Sequence, residues 1–265
     1  PDDLAVSLDM SDSVIEGLIG LSLITRGENG ELTFVHNAFK EYILAKRLSQ
    51  LPTVEIMKLV CFPDTDIIIP ALKNVVVLLI HLISKLDSWD YSEFKNWFID
   101  RYPDVLVAVG PECLDEETRE EIFVKIFNSH KVKGLHIDFW SCRNLMRFSL
   151  TQRTAELLLN EVEHSDLLDA NLINALKLSE FADFSVLSPE RRTHAEDIFV
   201  SLLNYEGAKI GDYYYLSRPL MNHSILSVDL LERALTPVAA TTNCYLIQMI
   251  CSMCVSLGIA AEYAQ

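Results

Sequence analysis

The sequence predicts a mainly α-helical protein. A partial winged helix with one β-hairpin opens it, and an α-helical repeat region of the HEAT or TPR-like α-solenoid kind follows. Three observations lead there. Nine glycines and nine prolines in 265 residues are few for a many-turned β fold. One Asn-Gly turn, Asn29-Gly30, stands between two alternating runs, "LSLITR" and "ELTFVH", as a hairpin requires. The stretch "EEIFVKIFN" at 120–128 returns as "EDIFVSLLN" at 196–204. Glu120/Glu196, Ile122/Ile198, Phe123/Phe199, Val124/Val200 and Asn128/Asn204 coincide at an offset of 76, twice a helix-pair repeat of roughly 33 to 47 residues.

Residues 1–51 read as the C-terminal part of the winged-helix domain. Ser13-x-x-Glu16 has the form of a capping box; Val14, Ile15, Leu18 and Ile19 follow at helical spacing, and Gly20 is the expected stop. Leu32, Phe34 and His36 share one face of the second strand, which points His36 inward. Asn37 is placed to cap the next helix. Lys46 and Arg47 lie near its end, where the helix dipole favours cations; Leu51-Pro52 closes it.

Residues 52–265 read as a helical sensor or regulatory domain. The apolar run "IIIPALKNVVVLLIHLISKL" carries Pro70, Lys73, Asn74, His81 and Lys85, so it predicts a buried helix rather than a membrane span. Ser92, Asp115, Thr151, Ser188-Pro189 and Thr236-Pro237 are the start signals of later helices. Beyond the repeated segments Lys133 matches Lys209, and aromatic residues follow in both copies (Phe139 and Trp140; Tyr213, Tyr214 and Tyr215).

Net charge is −16, from 22 basic and 38 acidic residues. Neutralising phosphates takes lysine and arginine, so the balance disfavours nucleic acid and anionic membranes. The helix before the hairpin carries Asp12 and Glu16 and no basic residue, and the turn is Arg26-Gly27-Glu28-Asn29-Gly30-Glu31, a poor element for phosphate contacts. Cysteines 61, 113, 142, 244, 251 and 254 fall mostly in apolar helical contexts and read as reduced core thiols of a cytoplasmic protein. Neither Cys251-Ser-Met-Cys254 alone nor His130, His136 and Cys142 match zinc spacing, and no metal ligand is assigned. There is no Gly-x-x-x-x-Gly-Lys-Ser/Thr, Gly-x-Ser-x-Gly, His-Glu-x-x-His or Gly-x-Gly-x-x-Gly, so residues 1–265 are expected to be non-catalytic. A start at Pro1 rather than Met fits a fragment of a longer protein.

The stretch "LTFVHNAFKEYILAKRL" at 32–48 resembles the motif that closes the winged-helix domain of STAND NTPases, the NACHT branch in particular. That branch includes animal NLR immune receptors and many bacterial antiphage proteins. The pattern Phe-x-His-x-x-Phe-x-Glu-Tyr/Phe-x-x-Ala is met by Phe34, His36, Phe39, Glu41, Tyr42 and Ala45. Asn37, Ala38 and Lys40 depart from its usual residues.

The resemblance implies that His36 contacts the β-phosphate of ADP held by an upstream NTPase module. Phe39, Tyr42 and Ala45 would pack the helix, and Glu41 would make a structural polar contact. Within this chain alone His36 also reads as a capping or core histidine. The implied whole protein is an ADP/ATP-Mg switch in signalling or antiviral defence that oligomerises when active. Its helical region would mediate protein interaction or autoinhibition, its partners being the upstream module and a sensed protein or other ligand. Trp89, Trp97, Trp140 and Tyr213 to Tyr215 are either recognition positions or solenoid core. Two rival readings are a stand-alone helical scaffold and a winged-helix transcriptional regulator.

Overall fold

The computed structural model describes residues 12–85, 92–165, 168–205, 208–238 and 242–259. The fold is mainly α-helical with one small antiparallel β-hairpin. It divides into two compact units, Pro1–Trp97 and Phe98–Gln265. Among the described residues no helix is long and apolar enough to cross a membrane.

In the first unit α1 (Asp12–Gly20) runs to a Schellman end. The Leu23 N–H bonds to the Leu18 carbonyl at 3.0 Å and the Ser22 N–H to that of Ile19 at 2.9 Å. The left-handed residue is Ser22, at φ 55°, not the expected Gly20. Glu16 meets Arg26 at 3.0 Å, and the start of α1, where Ser13 and Glu16 were expected to form a capping box, borders residues outside those described. Strands β1 (Ile24–Arg26) and β2 (Leu32–Phe34) pair with Ile24 opposite Phe34 and Arg26 opposite Leu32. The Gly27 N–H bonds to the Glu31 carbonyl at 2.7 Å and the Gly30 N–H to the Gly27 carbonyl at 3.0 Å. Gly30 sits at φ 80°, the bulge position of a three-residue hairpin loop.

Helix α2 (Asn37–Leu48) begins directly after the hairpin. Its N-cap residue is His36, extended at φ −127° and ψ 133°, with no side-chain cap. Asn37 is therefore the first helical residue and not the cap. Helix α3 (Thr53–Val60) leads into an isolated antiparallel bridge, Cys61 to Ile68. A 3-10 turn over Pro70–Leu72 then opens α4 (Lys73–Ile83). The apolar run from Ile67 thus yields a helix of 11 residues, because Pro70 starts a turn and three residues before it stay extended. Helix α2 packs along α4, so residues on both sides of the expected 51/52 boundary share one core. Ala45 and Leu48 are buried from α2; Val75, Val76, Leu79, Ile80 and Ile83 are buried from α4. At about 1.5–3 kcal/mol per buried aliphatic side chain, this contact outweighs the small hairpin.

The unit boundary falls within α5 (Ser92–Arg101). The second unit continues with α6 (Pro103–Val109), α7 (Glu116–Lys133), α8 (Phe139–Phe148), α9 (Gln152–Glu163), α10 (Ala170–Ser179), α11 (Pro189–Ser201), α12 (Tyr213–Leu216), α13 (Val228–Val238) and α14 (Cys244–Leu257). Helices α7, α9, α11 and α13 lie side by side in one layer; α8, α10, α12 with the 3-10 turn Arg218–Met221, and α14 form the other. Each first-layer helix opens on a capping oxygen: Asp115 accepts from Thr118 N–H, Thr151 from Thr154, Ser188 from Arg191 and Ser227 from Leu230. These caps recur every 36 to 39 residues, half the offset of the sequence repeat, and the matched phenylalanines Phe123 and Phe199 are both fully buried.

Two buried asparagines tie successive pairs together. Asn174 on α10 accepts from the Ile137 N–H and donates to the Leu135 carbonyl, both at 2.8 Å, across the α7–α8 connection. Asn222 donates to the carbonyls of Ser179 at 2.6 Å and Ala182 at 2.8 Å, one pair later. On the first layer, arginines reach back one helix: Arg153 to Glu120 at 3.4 Å, Arg191 to Glu156 at 2.8 Å, Arg233 to Glu196 at 3.2 Å. Thr236-Pro237, expected to start a helix, ends α13 instead. Leu230, Leu231, Ala234 and Val238 form a buried stripe that runs through the proline, and α14 starts at its own cap, Asn243.

Replacing Asn174 with alanine strands the buried Ile137 N–H, which should lower stability by about 3 kcal/mol, read as a drop in urea midpoint. Ser22→Gly removes the left-handed penalty and should raise stability by about 1 kcal/mol; an unchanged midpoint would argue that Ser22 is unstrained.

Candidate functional site

Two places gather the sequence-assigned residues. In the first unit, His36 lies at the end of the hairpin and is exposed. Strict strand alternation had pointed it inward. The paired strand ends at Phe34, with one further bond from the Val35 N–H to the Leu23 carbonyl at 3.0 Å, and the chain turns into α2 at His36. The His36 ring stands 6.2 Å from that of Phe39, tilted 46°. Phe39 and Tyr42, expected to pack the helix, are 38% and 44% exposed; α4 covers only the Ala45 and Leu48 side of α2. Phe34 is half-buried. Ala45 is fully buried, and Glu41 accepts from Asn74 Nδ2 at 3.3 Å. The first turn of α2 holds no acidic residue and no side-chain cap. The Phe39 N–H turns back to the His36 carbonyl at 3.1 Å, and the uncapped N–H groups ahead of it form, with the imidazole, one end suited to an anion.

In the second unit, the aromatic runs that follow the two copies of the repeat meet at one residue, Arg218. Its guanidinium lies 4.3 Å from the Tyr214 ring centre and 5.5 Å from that of Phe139. It bonds both carboxylate oxygens of Glu180, at 2.8 and 3.0 Å, and the Tyr214 hydroxyl. Phe139 stacks edgewise on Trp140 at 5.8 Å, and Tyr214 on Tyr245 at 5.7 Å. The result is a path of rings over α8, α12 and α14. It leads to a pocket of about 200 Å³ lined by Tyr214, Arg218, Met221, Tyr245 and Met249. Burial pushes the Glu180 carboxyl above its ordinary range, against the attraction of Arg218.

Of the aromatic residues singled out in the sequence, Trp140 is 67% exposed and Tyr214 41%. Trp97, Tyr213 and Tyr215 are half-buried, and Trp89 lies outside the described residues. Sequence reasoning missed Arg218, Glu180 and Tyr245. The recurring aromatics were the one available signal, since nothing in spacing links α10 to the turn after α12. The cysteines divide: Cys61, Cys142 and Cys254 are buried, while Cys244 and Cys251 are exposed on the outer side of α14, which corrects the expectation that most are core thiols there. Burial pushes the Cys142 thiol up to about 12, so it stays protonated. His130 Nδ1 bonds within its own helix to the Ile126 carbonyl at 2.9 Å, and His136 is exposed; with Cys142 they are not brought to ligating distance of one another.

Comparison of the chain with protein-family models, curated proteins and solved structures finds no match.

Arg218 and Glu180 test the arrangement through pH. A carboxyl whose folded pKa lies above its unfolded one contributes stability below the unfolded pKa, and that contribution is lost as pH rises through the folded one. Arg218→Ala raises the Glu180 pKa further, so the damage should grow with pH: about 3 kcal/mol near pH 7 and less at about pH 5. Urea denaturation at the two pH values measures it.

Proposed function

We propose that this chain is the non-catalytic regulatory region of a NACHT-type STAND NTPase switch in signalling or defence. Its first unit closes a winged helix, and its second is a helical-repeat, α-solenoid-like interaction domain. The observation that carries the reading is the end of α2: an exposed imidazole beside uncapped helix amides, with Phe39 and Tyr42 left open one turn apart. An apolar, anion-suited face of this kind is what docking onto a nucleotide-bearing module needs. The order helix, hairpin, helix and the fit of Phe34, Glu41 and Ala45 to the motif support it.

His36 and the α2 amides would meet the phosphates; Ala45 and the Glu41–Asn74 bond hold α2 on α4 so that the imidazole keeps its place. The group bound would be ADP or ATP with magnesium, supplying the phosphate charge that distinguishes resting from active states. The remaining walls of that site belong to an NTPase module outside residues 1–265. The repeat domain would then bias the switch through contacts that differ between the two states.

In the longer protein, His36→Ala should release ADP about tenfold faster, the loss of one hydrogen bond to a charged group. Folding stability should change by under about 0.5 kcal/mol because the ring is exposed. Nucleotide content of the purified variant and its melting curve check the two halves. Unchanged ADP retention removes the phosphate role, and an upstream sequence without a phosphate-binding Gly-x-x-x-x-Gly-Lys-Ser/Thr segment leaves a helical scaffold instead.

A further inference from the structure

The charge of the repeat unit is distributed by layer. Helices α7, α9, α11 and α13 carry the acidic residues, many of them held by the arginines that reach back one helix. Helices α8, α10, α12 with its 3-10 turn, and α14 carry Arg143, Arg147, Lys177 and Arg218 and no aspartate or glutamate at all. In a chain of net charge −16, this is a local reversal of sign. The acids nearest to it are engaged: Asp138 caps α8 through Ser141, and Glu180 holds Arg218.

Trp140, Arg143 and Arg147 fall on one stripe of α8 by helical spacing, and all three are exposed. Neither arginine has a hydrogen-bond or ion-pair partner among the described residues. Trp140 begins the path of rings that passes Phe139 and Arg218 and ends at the pocket of about 200 Å³ beside Tyr245. An exposed tryptophan followed on the same stripe by two unpaired arginines, joined by rings to a pocket where Met221 and Met249 lie beside Glu180, Arg218 and Gln248, has the composition of an interface core.

We infer that this layer docks an acidic segment of a partner protein. Its carboxylates pair with Arg143 and Arg147, and an apolar side chain lies along Trp140 toward the pocket. A nucleic acid fits less well. Arg218 is already neutralised, so few cations remain for phosphates, and the rest of the acidic chain repels a polyanion. The inference deepens the interaction role proposed for the repeat domain and rests on it, while ADP retention at His36 is independent of its outcome.

The test uses the full chain and fluorescence anisotropy. The probes are a fluorescein-labelled peptide of alternating glutamate and leucine, the same peptide with glutamine for glutamate, and a labelled oligothymidylate. Expected is binding of the glutamate peptide that weakens with added salt and falls about tenfold or more in Arg143→Glu/Arg147→Glu and in Trp140→Ala. Lys58→Glu/Lys133→Glu, with the same change in net charge, should bind as the unaltered chain does. Circular dichroism checks folding, and Arg143→Gln/Arg147→Gln replaces the reversal variant if that one unfolds. No binding, equal binding of the glutamine peptide, indifference to the α8 substitutions, or tighter binding of oligothymidylate each overturns the inference.

Discussion

Stacking helix pairs buries their apolar faces, and it also buries the polar connections between helices, which no longer reach water. Asn174 and Asn222, 1% and 2% exposed, resolve that conflict in the second unit. Each is a buried amide that pairs with backbone groups of the preceding helix pair. A stranded backbone group would cost about 1–3 kcal/mol, so these bonds make one register of the stack much better than its neighbours. Apolar contacts such as Phe184 against Phe199, 5.4 Å between ring centres, supply the drive but are far less particular about register.

The ion pairs of the first layer act on top of that. Most are partly solvent-exposed, as with Arg153, whose side chain is 64% exposed, so each adds little to stability. Their consequence is electrostatic organisation. Acidic side chains are spent against arginines on one side of the stack, and on the other side Arg143 and Arg147 are left without partners among the described residues. Lys177 and Arg218 are engaged there, Lys177 on the Ile137 carbonyl at 2.9 Å and Arg218 between Glu180 and two rings, and Arg218 stiffens the short, broken third pair around the pocket.

In the first unit the balance is different. Two strands of three residues each cannot stand alone, and α2 on α4 supplies the core. That packing uses only one side of α2. The side bearing Phe39 and Tyr42 stays open next to His36, so the residues that fit the sequence motif split into a structural set and a presented set.

Local chemistry was legible without coordinates. The hairpin follows from Asn29-Gly30 between alternating runs, and the starts of α7, α9 and α11 from Asp115, Thr151 and Ser188, because a cap or a turn is decided by neighbours within a few residues. The spacing of the stack was legible too, in half of the 76-residue offset. Tertiary contact decided the rest. It carried α13 through Pro237, left His36 exposed and gathered Phe139, Tyr214 and Glu180 around Arg218. Each of these depends on which surface another element covers, as Glu180 and Phe139 from distant helices cover Arg218, and spacing along the chain does not encode it.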